Sequence, residues 1–236
     1  MAKKFYGVGV GVGDSGLLTL KAVETLKNVD YICTPVSTNS DSSRALEIIS
    51  NLIADQEKFI RLEFKMSKKK SELEKSRCQA AEKINDLLNS GKSVAFVTIG
   101  DPLLYSTYSY MLEKIKKWNN EIEVETVPGI NSITASAAKY NLALAEGKEN
   151  TAIISDVKSE EYLEKVFALF ETVIILKLSR NYKTVYPVLD KLDLKKNVVI
   201  ASKCGFEDEF YTEDIDYFKD EKIAYLTLMI VKREGI

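Results

Sequence analysis

The sequence contains no histidine. That excludes Ser-His-Asp and Cys-His nucleophilic machinery, and with them every His-ligated metal site. Any chemistry must run on carboxylates, lysines, tyrosines, hydroxyls and backbone amides, or need little acid–base help. Cysteine is scarce as well: Cys33, Cys78 and Cys204 are an odd number, widely spaced and without a C-x-x-C pair. Neither a disulfide framework nor a zinc cluster fits, so free thiols, a cytoplasmic location and no metal are expected. No apolar run approaches the ~20 residues of a membrane span, and the N-terminus lacks a signal-peptide pattern, so no membrane partner is expected. Lys+Arg is 33 and Asp+Glu is 35, a formal charge of −2. The basic footprint of a general nucleic-acid binder is therefore missing.

What is present is the composition of a globular protein, 45% hydrophobic over 236 residues with 11 Gly and 4 Pro. This is enough chain for one large domain or two of roughly 110 residues. The first half alternates strand-like and helix-like segments, with strands at 5–12, 29–34, 58–64, 93–99 and 121–127. Helical spacing fills the intervals at 17–27, 42–53, 71–89 and 104–118, the second of these capped by Asp41 or Ser42. Such alternation predicts a parallel sheet with helices on both faces. The second half reads as helices at 132–140, 160–170 and 183–192 among strands at 151–155, 172–178, 197–201 and 223–231. The last strand alternates in polarity, as a half-exposed or antiparallel strand would, which predicts a mixed sheet. The fold class is thus α/β, with an N-terminal domain at 1–127 and a C-terminal domain at 128–236.

Four segments stand out against this background. Gly7-Val8-Gly9-Val10-Gly11-Val12-Gly13-Asp14-Ser15-Gly16 follows a strand and opens a helix, and Gly11–Gly16 satisfies G-x-G-x-x-G. A dinucleotide site would also need an acid about 20 residues on, at the end of the second strand. Asp30 has the spacing but precedes that strand, whose end is Thr34-Pro35. A ligand touching bare backbone, or a structural tight turn, remains. Asn89-Ser90-Gly91-Lys92-Ser93 mimics the tail of a P-loop, yet a helix precedes it and a strand follows, so it is a helix C-cap. Ile99-Gly100-Asp101-Pro102 lies at the carboxyl end of a buried strand, where open α/β sheets place ligands. There Gly100 permits close approach, and Asp101 either accepts from a ligand or caps the turn. Val127-Pro128-Gly129-Ile130-Asn131-Ser132 is a turn into a helix, with Asn131 or Ser132 as its cap. The run Lys68-Lys69-Lys70 reads as a solvated face, with Arg61 and Lys65 nearby should a polyanion need holding.

Taken together, these segments resemble the tetrapyrrole methylase family, the S-adenosylmethionine-dependent C-methyltransferases of corrin and sirohaem synthesis. The resemblance rests on Gly9-x-Gly11-x-Gly13-Asp14-x-x-Leu17-Leu18-Thr19-Leu20-Lys21-Ala22, on Gly100-Asp101-Pro102 and on Val127-Pro128-Gly129-Ile130, in that order. Ser43-Arg44-Ala45-Leu46-Glu47-Ile48, Phe64-Lys65-Met66-Ser67 and Gly100–Thr107 are most similar to the branch that methylates precorrin-2 or cobalt-precorrin-2 at C-20. Two departures from the family pattern are Val12, where a proline is usual, and Pro35, where uroporphyrinogen III methylases carry an Asp.

The resemblance implies a cytoplasmic two-domain homodimer with the methyl donor in the cleft between domains and a small-molecule tetrapyrrole as substrate. It implies donor contacts at Gly100, Asp101, Leu104, Ser106, Thr107, Asn131, Ser132, Leu176 and Lys177. It implies tetrapyrrole contacts at Val12, Gly13, Arg44, Lys65 and Met66, with Arg61, Lys177 and Arg180 as further cations for the substrate carboxylates. No catalytic base follows from it. Other expectations are the same fold acting at another tetrapyrrole carbon, on diphthamide or on ribosomal RNA, and a silent tetrapyrrole-binding protein. Retention of Gly100-Asp101 argues against the last, because a carrier needs no methyl donor.

Overall fold

The computed structural model describes residues 4–37, 43–65, 67 and 69–235. The chain divides into two compact units, Met1–Asn131 and Ser132–Ile236. Among the described residues no helix is long and apolar enough to cross a membrane.

The first unit is built on five parallel strands: β1 (Lys4–Gly9), β2 (Tyr31–Ser37), β3 (Phe59–Phe64), β4 (Val94–Thr98) and β5 (Glu123–Val127). Their order is β3-β2-β4-β1-β5. Helices α1 (Leu20–Asn28), α2 (Arg44–Ile49), α3 (Lys70–Asn89) and α4 (Tyr108–Trp118) connect them. Phe96 of β4 and Phe5 of β1 meet Ala80, Ile84 and Leu88 of α3 and Met111 and Ile115 of α4 in one buried core. The spacing of Ala80, Ala81, Ile84 and Leu88 is the i, i+3, i+4 stripe that turns one helix face inward. At the amino edge of this sheet, Asp30 accepts from the backbone N–H of Ser93 at 2.8 Å and from its hydroxyl at 2.7 Å. These bonds hold the Asp30 carboxyl below its ordinary 3.8.

Helix starts differ from the periodicity reading for local reasons. The helix expected from 17 begins at Leu20, because Asp14 accepts from Gly16 N–H and Thr19 from Ala22 N–H, and a short 3-10 turn separates the two caps. The helix expected from 104 begins at Tyr108, because Tyr105 is left-handed (φ 53°) and the Ser106 hydroxyl accepts from Tyr108 N–H at 3.1 Å. Helix α2 is capped by Ser43, whose hydroxyl accepts from Leu46 N–H; the expected caps Asp41 and Ser42 lie outside the described residues. Gly91 (φ 85°) does terminate α3. Lys69 of the basic run pairs with Glu72, and Lys68 is not among the described residues.

The second unit contains α5 (Ser132–Lys139), β6 (Thr151–Ile154), α6 (Glu160–Leu169), β7 (Thr172–Ile175), α7 (Leu178–Lys191), β8 (Val198–Ser202), β9 (Phe210–Thr212) and β10 (Thr227–Lys232). Its sheet is mixed, ordered β6-β7-β10-β8-β9, with β6 parallel to β7 and the other pairs antiparallel. Strand β10 is antiparallel, as its alternation suggested, but every one of its residues is buried. It sits between β7 and β8, and α5 and α7 both lie against it, so no face remains for solvent. Helix α7 starts at Leu178 rather than 183, since Leu178, Asn181, Val185, Val188 and Leu189 form one inward stripe.

Candidate functional site

Parallel strands bring all their carboxyl ends to one edge. In the first unit, β1 leads through α1 to β2 on one side, whereas β4 leads through α4 to β5 on the other. The loops after β1 and β4 therefore part in opposite directions and leave a crevice, the usual ligand position of an open α/β sheet. Here they do not merely flank each other. Val10 N–H donates to Thr98 O at 2.9 Å, Gly100 N–H donates to Gly11 O at 2.7 Å, and Gly11 and Gly100 form an isolated antiparallel bridge.

The turn after β5 joins the same cluster. Asp101 Oδ1 accepts from Leu103 N–H at 2.8 Å, and Oδ2 accepts from Gly129 N–H at 3.1 Å. Asp101 is thus both the cap of its own turn and the staple between the second and third loops. Sequence spacing showed the first role and missed the second.

The glycines divide into two kinds. A Cβ on Gly9 would stand 2.5 Å from Gly100 O and 2.7 Å from Gly129 Cα, and one on Gly129 would collide with Gly100 O. A Cβ on Gly7 would lie inside the Tyr108 ring. At these positions neighbouring protein already fills the space a side chain would need. Gly11 (φ 73°), Gly13 (φ 127°) and Gly100 (φ 71°) instead hold left-handed backbone. At Gly100 a Cβ would meet nothing nearer than Asn131 Cα at 3.5 Å, an ordinary contact, so glycine is needed there for its backbone angle and not to avoid a collision.

Beneath the crevice the loop is pinned. Tyr108 is fully buried and its hydroxyl shares a 2.8 Å hydrogen bond with Thr126 Oγ1 on β5. Burial of the ring pushes the phenol pKa upward, so it stays neutral. The Ser106 hydroxyl donates to Thr98 Oγ1 at 3.0 Å while accepting from Tyr108 N–H. It closes the loop base with its donor committed. Leu103 and Tyr105 at the loop crown are 64% and 54% exposed, an apolar rim beside Gly100.

Of the sequence-predicted donor residues, Gly100, Asp101, Leu104, Ser106 and Thr107 fall on this one loop, and Asn131 stands against Gly100. Val12 and Gly13 lie in the neighbouring loop, with Val12 only 2% exposed. Arg44 follows β2 and Lys65 follows β3, on the same carboxyl edge of the sheet, and Arg44 also pairs with Glu47 at 3.1 Å. Met66 lies outside the described residues. Pro35 lies past Cys33, the last β2 residue paired with β4, where its missing N–H leaves that ladder intact. Cys33 is buried, which pushes its thiol up to about 12 and leaves it inert. The NAD reading finds no support, since Asp30 is engaged with Ser93 at the opposite edge, and the segment that mimics a P-loop tail is the C-cap of α3.

In the second unit Ser132 opens α5, while Leu176 and Lys177 form the turn from β7 into α7. Lys177 is left-handed (φ 55°, ψ 46°), and Leu176 N–H donates to Ile154 O at 2.7 Å. A cavity of about 890 Å³ in this unit is lined by Tyr140, Lys195, Tyr211, Glu213 and Asp216 among others, none a sequence-predicted site residue.

The first unit is therefore a parallel open sheet whose three glycine-bearing loops meet at its carboxyl edge, and the second an α/β unit with a mixed sheet. Residues 4–215 match the family model of the tetrapyrrole (corrin/porphyrin) methylases, and the chain belongs to that family. It is 42% identical to the probable cobalt-precorrin-2 C(20)-methyltransferase of Methanocaldococcus jannaschii, covering 99% of this chain and 97% of the relative. It is 24% identical to the cobalt-precorrin-2 C(20)-methyltransferase of Salmonella typhimurium, covering 99% and 98%. Among solved structures, a cobalt precorrin-4 methyltransferase superposes with a TM-score of 0.74 at 19% identity, covering 98% of this chain and 95% of that one. The uroporphyrin-III C-methyl transferase of Thermus thermophilus complexed with S-adenosylhomocysteine gives 0.66 at 20% identity, covering 98% of each.

Proposed function

We propose that this enzyme transfers one methyl group from S-adenosylmethionine to C-20 of precorrin-2 or cobalt-precorrin-2, in cobalamin biosynthesis. The observation that carries the reading is the bridge of Gly11 to Gly100 with Asp101 stapled to Gly129, a rigid bare-backbone crevice at the strand ends. It suits a donor with a nucleoside and an amino-acid tail, because backbone polar groups of these loops and the exposed Leu103–Tyr105 rim offer both polar and apolar contacts. Gly100, Asp101, Leu104, Thr107 and Asn131 are the first unit's donor contacts in this reading. Ser106 acts chiefly by closing the loop. Ser132, Leu176 and Lys177 are the donor contacts assigned to the second unit by the resemblance, and Val12, Gly13, Arg44, Lys65 and Met66 the tetrapyrrole contacts.

S-adenosylmethionine supplies an activated methyl on a sulfonium. The protein's task is then to align that methyl with an electron-rich meso carbon and exclude water, which is consistent with a chain that has no histidine. The rigid, glycine-packed crevice serves alignment. Basic side chains at the carboxyl edge, Arg44 and Lys65, with Arg61 within β3, serve the substrate carboxylates. We place the enzyme in the cytoplasm, as a homodimer, with no nucleic-acid or membrane partner. Sedimentation of the purified chain tests the dimer.

The deciding assay incubates the protein with methyl-labelled donor and precorrin-2, metal-free or cobalt-loaded, and reads the product by mass and carbon NMR. One added methyl at the C-20 bridge is expected. Label at a pyrrole carbon or another meso position overturns the regiochemistry, and no transfer to any tetrapyrrole overturns the reading.

A further inference from the structure

The Leu176–Lys177 turn is held by one buried side chain, Asn181. Asn181 is only 4% exposed, in the first turns of α7, and every polar atom of its amide is engaged. Its Oδ1 accepts from Val157 N–H at 3.1 Å. Its Nδ2 donates to Leu176 O at 3.0 Å, and lies 3.4 Å from both Ser155 O and Lys177 O. One amide therefore joins the end of β6 to the end of β7 and to the start of its own helix. Lys177 sits at the centre of this grip in a left-handed conformation (φ 55°) that a residue with a Cβ adopts only when its surroundings impose it. An asparagine in an otherwise apolar inward stripe is costly unless each group is paired, and here each is.

We infer that Asn181 is the positioning residue for the donor-binding turn: it holds the Leu176–Lys177 backbone in its left-handed form and so sets affinity for the methyl donor. This deepens the proposed function and rests on the assignment of Leu176 and Lys177 to the donor. Asn181 touches neither donor nor substrate. Its effect reaches them through backbone geometry, so it should appear in donor affinity and not in the rate of methyl transfer at saturation. The neighbouring chemistry fits no other role, because an amide with its donors and acceptor all committed has nothing left for a ligand.

The test measures S-adenosylhomocysteine binding by calorimetry alongside kcat and the donor KM. Asn181→Ala removes the grip, and Asn181→Asp turns an acceptor toward three carbonyls. Each should weaken S-adenosylhomocysteine binding at least tenfold and raise the donor KM alike, with kcat changed less than threefold. A second pair of variants reads the coupling. In a Lys177→Gly background the backbone adopts the left-handed form unaided, so Asn181→Ala should there weaken binding no more than threefold. Whatever the Lys177 side chain itself offers the donor cancels between the two members of that pair. Equal tenfold losses in both backgrounds, or a fall in kcat and melting temperature with unchanged affinity, would reduce Asn181 to a fold-stabilising residue and overturn the inference. Failure of the parent enzyme to bind S-adenosylhomocysteine would instead overturn the function on which it rests.

Discussion

The glycine-bearing turns of the first unit and the turn after β7 in the second reach left-handed backbone by opposite means. In the first, the turns after β1, β4 and β5 use glycine: left-handed backbone at Gly11 and Gly100, and side-chain-free contact among Gly9, Gly100 and Gly129. In the second, the turn after β7 keeps a lysine in the left-handed region and clamps it with Asn181. A glycine turn carries its conformation in its own residue type. A clamped turn borrows it from a side chain elsewhere in the sequence, and is correspondingly easier to tune and easier to lose. The lesson is that bare backbone has two meanings. At Gly9 and Gly129 it is consumed by packing, whereas at Gly100 it serves a left-handed backbone and a Cβ would find only ordinary contact with Asn131.

Substitutions can break this contrast, beginning with the largest expected effect. Gly9→Ala places a Cβ 2.5 Å from Gly100 O and 2.7 Å from the Gly129 backbone, neither of which can rotate away. A loss of about 3 kcal/mol, on the order of 10 °C in melting temperature, is expected by calorimetry. Less than about 1 kcal/mol would mean the three loops are not in backbone contact. Asp101→Ala strands the N–H groups of Leu103 and Gly129 together. About 2 kcal/mol of stability should go by urea titration, with weaker S-adenosylhomocysteine binding, since two loops lose their common acceptor.

The sharpest form of the comparison is a pair with opposite signs. Gly100→Ala adds a Cβ with no neighbour closer than 3.5 Å but forces alanine to φ 71°, so about 1 kcal/mol should be lost. Lys177→Gly relieves the same strain and should gain roughly 0.5 to 1 kcal/mol. Equal signs in matched urea titrations would refute the division into glycine-built and clamped turns.

The smallest effect is expected at the other edge of the first sheet, where Asp30→Asn serves as a control remote from the crevice. Ser93 holds the Asp30 carboxyl below 3.8 in the folded chain, so its contribution is present above that value and lost as pH falls through the lower, folded pKa. The carboxylate is partly exposed and screened, so less than about 1 kcal/mol separates parent and variant at pH 7. That gap should shrink toward zero in unfolding titrations carried from neutral pH down past the folded carboxylate's own titration, with donor affinity unchanged at neutral pH.

Much of the architecture is legible in the sequence. Strand–helix alternation foretells the parallel sheet, and Gly100-Asp101-Pro102 falls at the carboxyl end of a buried strand, where β4 ends. Boundaries fail where a side chain competes locally with the backbone: Thr19 moves the start of α1, and Tyr105 with Ser106 moves that of α4. The alternation of Ala224 to Ile230 suggests a half-exposed strand, yet β10 is central and covered, a matter of sheet order that no local pattern contains. Asn181 had a signal that went unread, a lone amide in the stripe Leu178, Val185, Val188.

The sequence by itself determined the chemistry that is excluded, through the missing histidine, and the three glycine-bearing loops, because residue type alone governs which backbone angles are cheap. Only the tertiary structure decided which of those glycines are filled by neighbours, that Asp101 bridges two loops, and that a left-handed lysine is held by an asparagine four residues away. The first two depend on distances between segments far apart along the chain, set when the strands choose their neighbours, and the third on the end of β6 reaching the Asn181 amide.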